Sequence, residues 1–458
     1  MTGRLMRASA CAGILLLTLG FLPGCAALPA FAQPLSPSPH VLDVPVATAS
    51  LTPIPSPSPT QAPTPTPEPT QTPEPTPVYA TIGAVGDIMM MQSQVDGAWN
   101  KEAQVYDFTP SFRAMQGYFQ NADLLCGNIE TPIAGEDAGY SGPAPGTPTP
   151  GADGTLPPKD RQTFNAPDEL AASLLSVGFD VATTANNHCL DRGADGMART
   201  AEVLRAAGLM QLGTYVSQED RLTARVVDVN GIRVGLLAWT FSVNGNEDML
   251  SSGQRGYAVG RTGDKARMQE DIRLCKEAGA EFLVAFAHWD TEFSEAPDSS
   301  TRRLAKWMLE QGVDAVIGSH PHVVQPAEFI TVQRGEEEYT GLVIYSLGNC
   351  LSNMAPSPRD YGLYVQLTLT KRPDGAVELS DAGLLPLYCC KHRVVGRTLH
   401  EVLPAEEDAT AVAAEFGADA GDLMKARAHV LAVCGGAVKP LHMEYQAEIQ
   451  AKGEPYEG

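Results

Sequence analysis

The sequence predicts an α/β fold. Segments typical of buried strands alternate with amphipathic helices along most of the 458 residues, and repeated strand–helix units indicate a sheet covered by helices. Apolar residues make up 43% of the chain, enough for a large core. The prolines are unevenly spread, with 15 of the 36 between Pro34 and Pro77. The chain therefore divides into a stalk and a folded body.

The first 25 residues are typical of a signal peptide. Arg4 and Arg7 precede an apolar run over residues 8–22, which is short for a membrane span. The run ends in Leu22-Pro23-Gly24-Cys25, which resembles a bacterial lipobox. We therefore expect lipidation at Cys25 and an extracytoplasmic lipoprotein anchored to the cell membrane. The alternative is cleavage after Ala30-Phe31-Ala32, which would produce a secreted protein.

Composition sets the remaining boundaries. Residues 26–77 consist largely of Pro, Thr and Ser and cannot bury a core, so we expect a disordered, extended linker. Residues 78–403 are predicted to form the folded domain, and residues 404–458 a helical C-terminal extension.

Turn and capping residues separate the elements of the body. Pro167 begins a helix, Gly208 and Gly279 end two others, and Pro373-Asp374-Gly375 forms a turn between two antiparallel strands. The predicted strands cover residues 79–85, 179–184, 232–240, 282–287, 315–317, 342–347, 364–370 and 377–385. The predicted helices cover residues 167–177, 193–207, 265–278 and 300–311.

Polar side chains collect just after the predicted strands, at the edge of an α/β sheet where ligands bind. They are Asp87, Asn187, His188, His288, His320, His322 and Asn349. Any one of them could be a capping residue, but four of the chain's nine histidines belong to this set. Carboxylate, amide and neutral imidazole ligands suit Mn²⁺, Fe or Zn²⁺ better than Ca²⁺. We therefore expect a centre for divalent metal ions, two in number, that activates water and holds a phosphoryl or carbonyl oxygen.

The charge restricts the partners. The chain has 32 Lys and Arg against 54 Asp and Glu, a net charge of −22, so we expect no nucleic acid partner. An acidic body also repels other polyanions, so an anionic substrate would need local cations. Arg192, which lies between Asn187 and Gly193, is a candidate for such a contact.

Six segments in this order resemble the CapA family of poly-γ-glutamate capsule synthesis proteins. They are Gly86-Asp87-Ile88-Met89, Gly127-Asn128-Ile129-Glu130-Thr131-Pro132, Ala185-Asn186-Asn187-His188 with Asp191 and Gly193, His288-Trp289 with Glu292, Gly318-Ser319-His320-Pro321-His322-Val323-Val324-Gln325, and Tyr345-Ser346-Leu347-Gly348-Asn349. They cover roughly residues 79–355. The family is similar to calcineurin-like metallophosphoesterases, which implies a four-layer α/β/β/α sandwich with a two-metal centre.

The resemblance implies a role for each matching residue. The implied metal ligands are Asp87, Asn128, Glu130, Asn187, His288, His320 and His322. His188 would act as general acid, and Asp87 would be a catalytic residue as well as a ligand. Glu292 and Asn349 would contact either the substrate or the metal ligands, and Arg192 would contact the substrate. Two departures weaken one metal site: Met89 stands where the superfamily has the His of Asp-x-His, and Asn128 and Glu130 replace paired Asp residues.

The resemblance implies a membrane-anchored protein of poly-γ-glutamate capsule biosynthesis or export, with a metal-dependent hydrolase-type site. Its partners would be poly-γ-glutamate or another envelope polymer, the membrane through the lipid anchor, and capsule synthesis membrane proteins. Two alternatives stay open: a non-catalytic polymer-binding accessory factor, and a general cell-envelope metallophosphoesterase.

Overall fold

The computed structural model describes residues 76–141, 163–394 and 397–441. The strands are β1 (Val78–Ile88), β2 (Trp99–Asn100), β3 (Val105–Tyr106), β4 (Leu124–Ile129), β5 (Val181–Thr183), β6 (Met210–Leu212), β7 (Arg225–Val229), β8 (Ile232–Thr240), β9 (Phe282–His288), β10 (Ala315–Ser319), β11 (Ala327–Arg334), β12 (Glu337–Ile344), β13 (Asn349–Leu351), β14 (Tyr361–Lys371), β15 (Val377–Val394), β16 (Arg397–Pro404) and β17 (Lys439–Pro440).

The helices are α1 (Gln92–Ala98), α2 (Gln116–Gln120), α3 (Glu169–Ser176), α4 (Gly193–Ala207), α5 (Gln218–Leu222), α6 (Lys265–Glu277), α7 (Ser299–Gln311), α8 (Ala409–Phe416) and α9 (Ala420–Cys434). Within the described ranges, none of them has the length and hydrophobicity that crossing a bilayer requires. Helices α4 and α7 end at Gly208 and Gly312, which adopt the left-handed conformation that glycine accommodates best.

The larger sheet has nine strands. Its main order is β16-β15-β14-β1-β4-β5-β6, with β13 paired to β1 and β17 paired to β15. Strands β1, β4, β5 and β6 are parallel neighbours, whereas β14, β15 and β16 are antiparallel to their neighbours. The carboxyl ends of β1, β4 and β5 therefore meet at one edge.

The smaller sheet has six strands in the order β11-β12-β10-β9-β8-β7. Strands β8, β9, β10 and β12 are parallel, and the two edge strands pair antiparallel. Strands β9 and β10 end side by side, with Ser319 paired to His288.

Apolar side chains of both sheets share one buried core. It contains Ile82 and Leu124 of the larger sheet together with Val234, Phe282 and Ile317 of the smaller sheet. A second cluster joins α3 and the aromatic residues near α2 to the larger sheet. A third joins α6 and α7 to the smaller sheet. This mixed architecture confirms the predicted α/β class.

Several element boundaries differ from the prediction. The strand predicted over residues 377–385 continues to Val394, because its second half pairs with β16. The strand predicted over residues 342–347 ends at Ile344, and Asn349 begins β13 beside Asp87. The sequence also does not predict β4, β6, β7, β11 or β16. The leader, with Cys25, and residues 26–75 of the predicted linker lie outside the described residues, as do residues 442–458.

Candidate metal centre

The strand ends bring most of the predicted site residues into one buried pocket. The larger sheet contributes Asp87 from the end of β1, Asn128 from β4, Glu130 just after β4, and Asn187 and His188 after β5. The smaller sheet contributes His288, the last residue of β9, and His320 and His322 after β10. All eight side chains are buried. The centre is thus formed where the ends of the two sheets meet.

Asp87 is a fully buried carboxylate held by partners from β4 and from the turn after β10. Its Oδ1 accepts a hydrogen bond from Asn128 Nδ2 at 2.7 Å, and its Oδ2 accepts one from the backbone N–H of His320 at 3.2 Å. His322 Nδ1 lies 3.2 Å from Oδ2. Burial alone would raise the pKa of Asp87, but the contact and charge of His322, followed by the charge of His288, hold it well below its usual range. Asp87 is therefore an anion in the pocket.

Glu130 is fully buried, and neither of its carboxylate oxygens has a hydrogen-bond partner. Its Oε1 lies 3.4 Å from His288 Nε2, 3.9 Å from His322 Nε2 and 4.0 Å from His188 Nε2. Burial, and then the negative charge of Asp87, raise the pKa of Glu130 well above its usual range. A buried carboxylate without donors is costly unless a cation supplies the missing counter-charge.

His288 and His320 offer neutral ring nitrogens. Burial and then the neighbouring His320 depress the pKa of His288 well below its usual range. Burial and then His322 lower the pKa of His320 to about 3. His320 and His322 both have positive φ angles, 99° and 56°, in a region that residues other than glycine seldom adopt. The turn after β10 is thus held in an unusual conformation that directs two imidazoles into the pocket.

The donor atoms stand at separations that suit a bound metal ion. His288 Nε2 lies 2.8 Å from Asn187 Oδ1, 3.1 Å from His320 Nδ1 and 3.4 Å from Glu130 Oε1. Ligands that share one ion at about 2.1 Å are themselves roughly 3 Å apart. In two groups of three residues the ligand atoms all lie within 4.8 Å of one another: Asp87 with Glu130 and His288, and Glu130 with His320 and His322. The residues present therefore fit a divalent metal ion, and Glu130 belongs to both groups.

His188 forms a hydrogen-bonded pair that was only partly anticipated. Its Nδ1 lies 2.7 Å from Asp191 Oδ2, which also accepts a hydrogen bond from the backbone N–H of Phe164 at 2.8 Å. With Nδ1 held by this carboxylate, Nε2 faces Glu130. The sequence signal for Asp191 was its spacing three residues after His188, within the same motif.

The other predicted residues have different places. Asn349 is buried, and its Oδ1 lies 3.1 Å from His322 Nδ1, so it positions this histidine. Arg192 is half-buried and donates to the backbone carbonyls of Asp191 and Gly139. Glu292 is exposed, and its charge contributes to the raised pKa of Glu130. Asn128 Nδ2 donates a hydrogen bond to Asp87, and Asn128 Oδ1 accepts hydrogen bonds from Thr183 Oγ1 and Asn186 Nδ2. Its role as a metal ligand stays a prediction.

Comparison with known proteins finds a matching family model and several relatives. The family model described as bacterial capsule synthesis protein PGA_cap matches residues 81–354, which include the whole pocket. The capsule biosynthesis protein CapA of Bacillus anthracis is 29% identical over 279 residues, 59% of this chain and 59% of the relative. The PGA biosynthesis protein CapA of Bacillus subtilis (strain 168) is 26% identical over 305 residues, 66% of this chain and 70% of the relative. The chain thus spans less than two thirds of the first of these relatives.

Proposed function

Because the chain belongs to the PGA_cap family of bacterial capsule synthesis proteins, we propose that it acts in the synthesis or export of a poly-γ-glutamate capsule through a centre of divalent metal ions. The resemblance to CapA is confirmed by the family match and by the two Bacillus relatives. The proposal goes further and names the polymer, a metal-dependent hydrolase-type site and two ions of Mn, Fe or Zn.

The unpartnered Glu130 carboxylate is the observation that carries this proposal. It is buried among three imidazoles and belongs to both groups of potential metal ligands. Divalent ions at such a centre would lower the pKa of a water molecule and stabilise negative charge developing on a carbonyl or phosphoryl oxygen. Mixed oxygen and imidazole donors favour Mn, Fe or Zn over Ca.

The chain's own residues would orient the groups around the ions. Ser319 Oγ lies 2.9 Å from Nδ1 of His288 and so fixes the orientation of its ring, with Nε2 facing Asn187 Oδ1 and Glu130 Oε1. Asp191 holds Nδ1 of His188, which leaves Nε2 as the atom that can deliver a proton to a leaving group. Asn128 Nδ2 donates a hydrogen bond to Asp87 Oδ1 and so fixes the orientation of this carboxylate.

The proposal includes the wider architecture and the location. The shared core between the sheets, with α6 and α7 against the smaller sheet and α3 against the larger, supports a four-layer α/β/β/α sandwich. The leader sequence supports an extracytoplasmic lipoprotein whose partners are poly-γ-glutamate or another envelope polymer, the membrane and capsule synthesis membrane proteins.

Elemental analysis of the protein purified without chelator tests the metal centre. We expect two divalent ions per wild-type chain and a loss of at least about tenfold in metal affinity for Glu130→Gln, because the amide cannot supply the negative charge that balances the ion. Glu401→Gln is the matched control. Glu401 is also a fully buried carboxylate, but Arg113 Nη2 lies 3.4 Å from its Oε1 and it belongs to neither group of potential ligands.

Two outcomes would contradict the metal centre: a wild-type protein that takes up no Mn²⁺ or Zn²⁺, or a Glu130→Gln variant that retains as much metal as wild type. Turnover then separates the possible roles. Cleavage of γ-linked glutamate peptides by the metal-loaded protein would support a hydrolase acting on the capsule polymer. Cleavage of p-nitrophenyl phosphate alone would support a general phosphoesterase. A metal-loaded protein that cleaves neither would be an accessory factor.

A further inference from the structure

Two exposed phenylalanines lie beside the metal centre. Phe241 is 46% exposed and its ring centroid lies 5.3 Å from that of His320, while Phe293 is 40% exposed and lies 6.1 Å from His322. The backbone ties both to the centre, because Phe241 N–H donates to the carbonyl of His288 and Phe293 N–H donates to the carbonyl of Pro321. A ligand approaching His320 or His322 would therefore meet an aromatic surface.

Arg359 extends this surface with a positive charge. Its guanidinium carbon lies 3.8 Å from the centroid of the Phe293 ring, and the same ring lies 6.1 Å from that of His322. Stacking holds the plane of the guanidinium while the N–H groups at its edge stay available. Within residues 76–141, 163–394 and 397–441, no carboxylate forms an ion pair with Arg359.

The backbone of Arg359 is also connected to the centre. Its carbonyl oxygen accepts a hydrogen bond from Asn349 Nδ2 at 2.8 Å, and Asn349 Oδ1 lies 3.1 Å from His322 Nδ1. The arginine is therefore attached to the His322 side of the pocket through both its side chain and its main chain. This arrangement reduces the entropy that ordering such a side chain would cost on binding.

Most other arginines of the described chain that could serve as anion sites are engaged. Arg192 donates to two backbone carbonyls, and Arg302 forms an ion pair with Glu328. The chain has a net charge of −22 and should repel anions as a whole. Arg359, whose N–H groups are available beside the candidate metal centre, could attract an anion there. The planar guanidinium matches the two oxygens of a carboxylate.

We propose that Arg359, held by Phe293, binds a carboxylate of the substrate and so positions a neighbouring bond of the same chain at the metal centre. The ligand class is an acidic γ-glutamyl chain, which presents one free carboxylate per residue. This inference rests on the proposed function for its substrate, but not on metal occupancy, because the recognition is made by Arg359 and Phe293.

Calorimetric binding of a γ-linked glutamate trimer to the full chain, as purified with its metal, tests the assignment. We expect Arg359→Ala to weaken binding at least about tenfold, the usual effect of removing a charged hydrogen-bond donor. Arg359→Lys keeps the positive charge but loses the two parallel N–H donors of the guanidinium, and Phe293→Leu removes the ring on which it stacks. Both variants should bind the trimer more weakly than wild type but more tightly than Arg359→Ala. Arg303→Ala is the control, since this exposed arginine donates to Ser299. It should bind like wild type, and metal content should be the same in all variants.

Several results would overturn the assignment: no binding of the trimer to wild type, equal affinity in Arg359→Ala and wild type, or the same weakening in Arg303→Ala. Binding of phenyl phosphate but not of the trimer would also overturn it, because the anion would then come from a phosphoester. The two proposals fail separately. If the protein binds metal but trimer affinity does not depend on Arg359, only this inference is contradicted. If trimer affinity depends on Arg359 but the protein binds no metal, only the metal centre is contradicted.

Discussion

His400 shows how burial at a single residue makes stability depend on pH. It is buried on β16, where its Nε2 lies 3.0 Å from Asn353 Oδ1 and its Nδ1 has no hydrogen-bond partner. Burial, and then the charges of Lys391 and His392, lower the pKa of His400 to about 4. In the unfolded chain a histidine has a pKa of about 6.5. Between these values the unfolded state binds more protons than the folded state.

The free energy of unfolding should therefore decrease as the pH falls from about 6.5 to about 4, by on the order of 3 kcal/mol from this residue. Denaturant unfolding of wild type and His400→Gln at several pH values measures this decrease in the free energy of unfolding. Chelator is present so that metal release does not contribute. The variant should show a smaller decrease than wild type. His429→Gln, which removes a half-buried histidine beside Glu295, is the control and should keep the decrease. Parallel curves for wild type and His400→Gln would contradict the prediction.

Residues at strand ends were predictable, whereas residues in loops were not. Asp87, His288, His320 and His322 could be placed together because parallel strands in one sheet bring their carboxyl ends to one edge. Arg192 is predicted to meet an anionic substrate because it lies inside a motif; two of its N–H groups donate to backbone carbonyls, and its contact with substrate stays a prediction. Arg359 follows two proline-containing turns, outside every recognisable motif. Only the folded chain places it on Phe293.

At the scale of elements, a close contact between β1 and the segment before β13 sets the position of Asp87. A Cβ atom on Gly86 would lie 2.0 Å from the carbonyl oxygen of Gly348, which also accepts the backbone hydrogen bond of Asp87. No flexible side chain can move aside to relieve this contact, because the obstacle is backbone. The glycine of the Gly86-Asp87 motif is therefore required by the packing of these two segments.

Gly86→Ala should lower the free energy of unfolding by about 3 kcal/mol or more, since overpacking here must displace the main chain. It should also reduce metal affinity, because Asp87 would shift with β1. Gly263→Ala is the matched control: it has open space around the added Cβ and should stay within about 1 kcal/mol of wild type. Equilibrium unfolding in urea with chelator measures both variants. Equal midpoints for the two would show that the contact is not tight in solution.

Helices with a clear signal in their own sequence are predicted better than strands that form because of their neighbours in the sheet. Helices α4, α6 and α7 agree with the prediction to within a residue or so because each has an apolar face and an end signal in its own sequence. Strand β4 was missed because Gly127 and Asn128 weaken its local strand preference, although it is fully buried between β1 and β5. The second half of β15 follows Pro386, a residue that usually ends or borders a strand. These strands are determined by their neighbours.

At the scale of the whole molecule, the metal centre depends on the association of two sheets. The larger sheet supplies both carboxylates, and the smaller sheet supplies His288, His320 and His322. Neither sheet holds a complete group of potential ligands. The apolar core shared by the sheets therefore stabilises the fold and also brings the ligands together. Metal binding and the packing of the two sheets should accordingly be lost together on unfolding.

The leader predicts where this domain works. Residues 26–77, extended at about 3.1 Å per residue, would allow a reach on the order of 160 Å from an anchor at Cys25. We expect the wild-type protein, expressed in a bacterial host, to incorporate labelled palmitate and to sediment with membranes. Cys25→Ser should do neither, because the lipobox cysteine is the acyl acceptor, and two or more acyl chains are needed for stable anchoring. Cys11→Ser, a change in the same leader upstream of the lipobox, should behave like wild type. Label that persists in Cys25→Ser, or a wild-type N-terminus that begins at Gln33, would exclude the anchor and favour the secreted form.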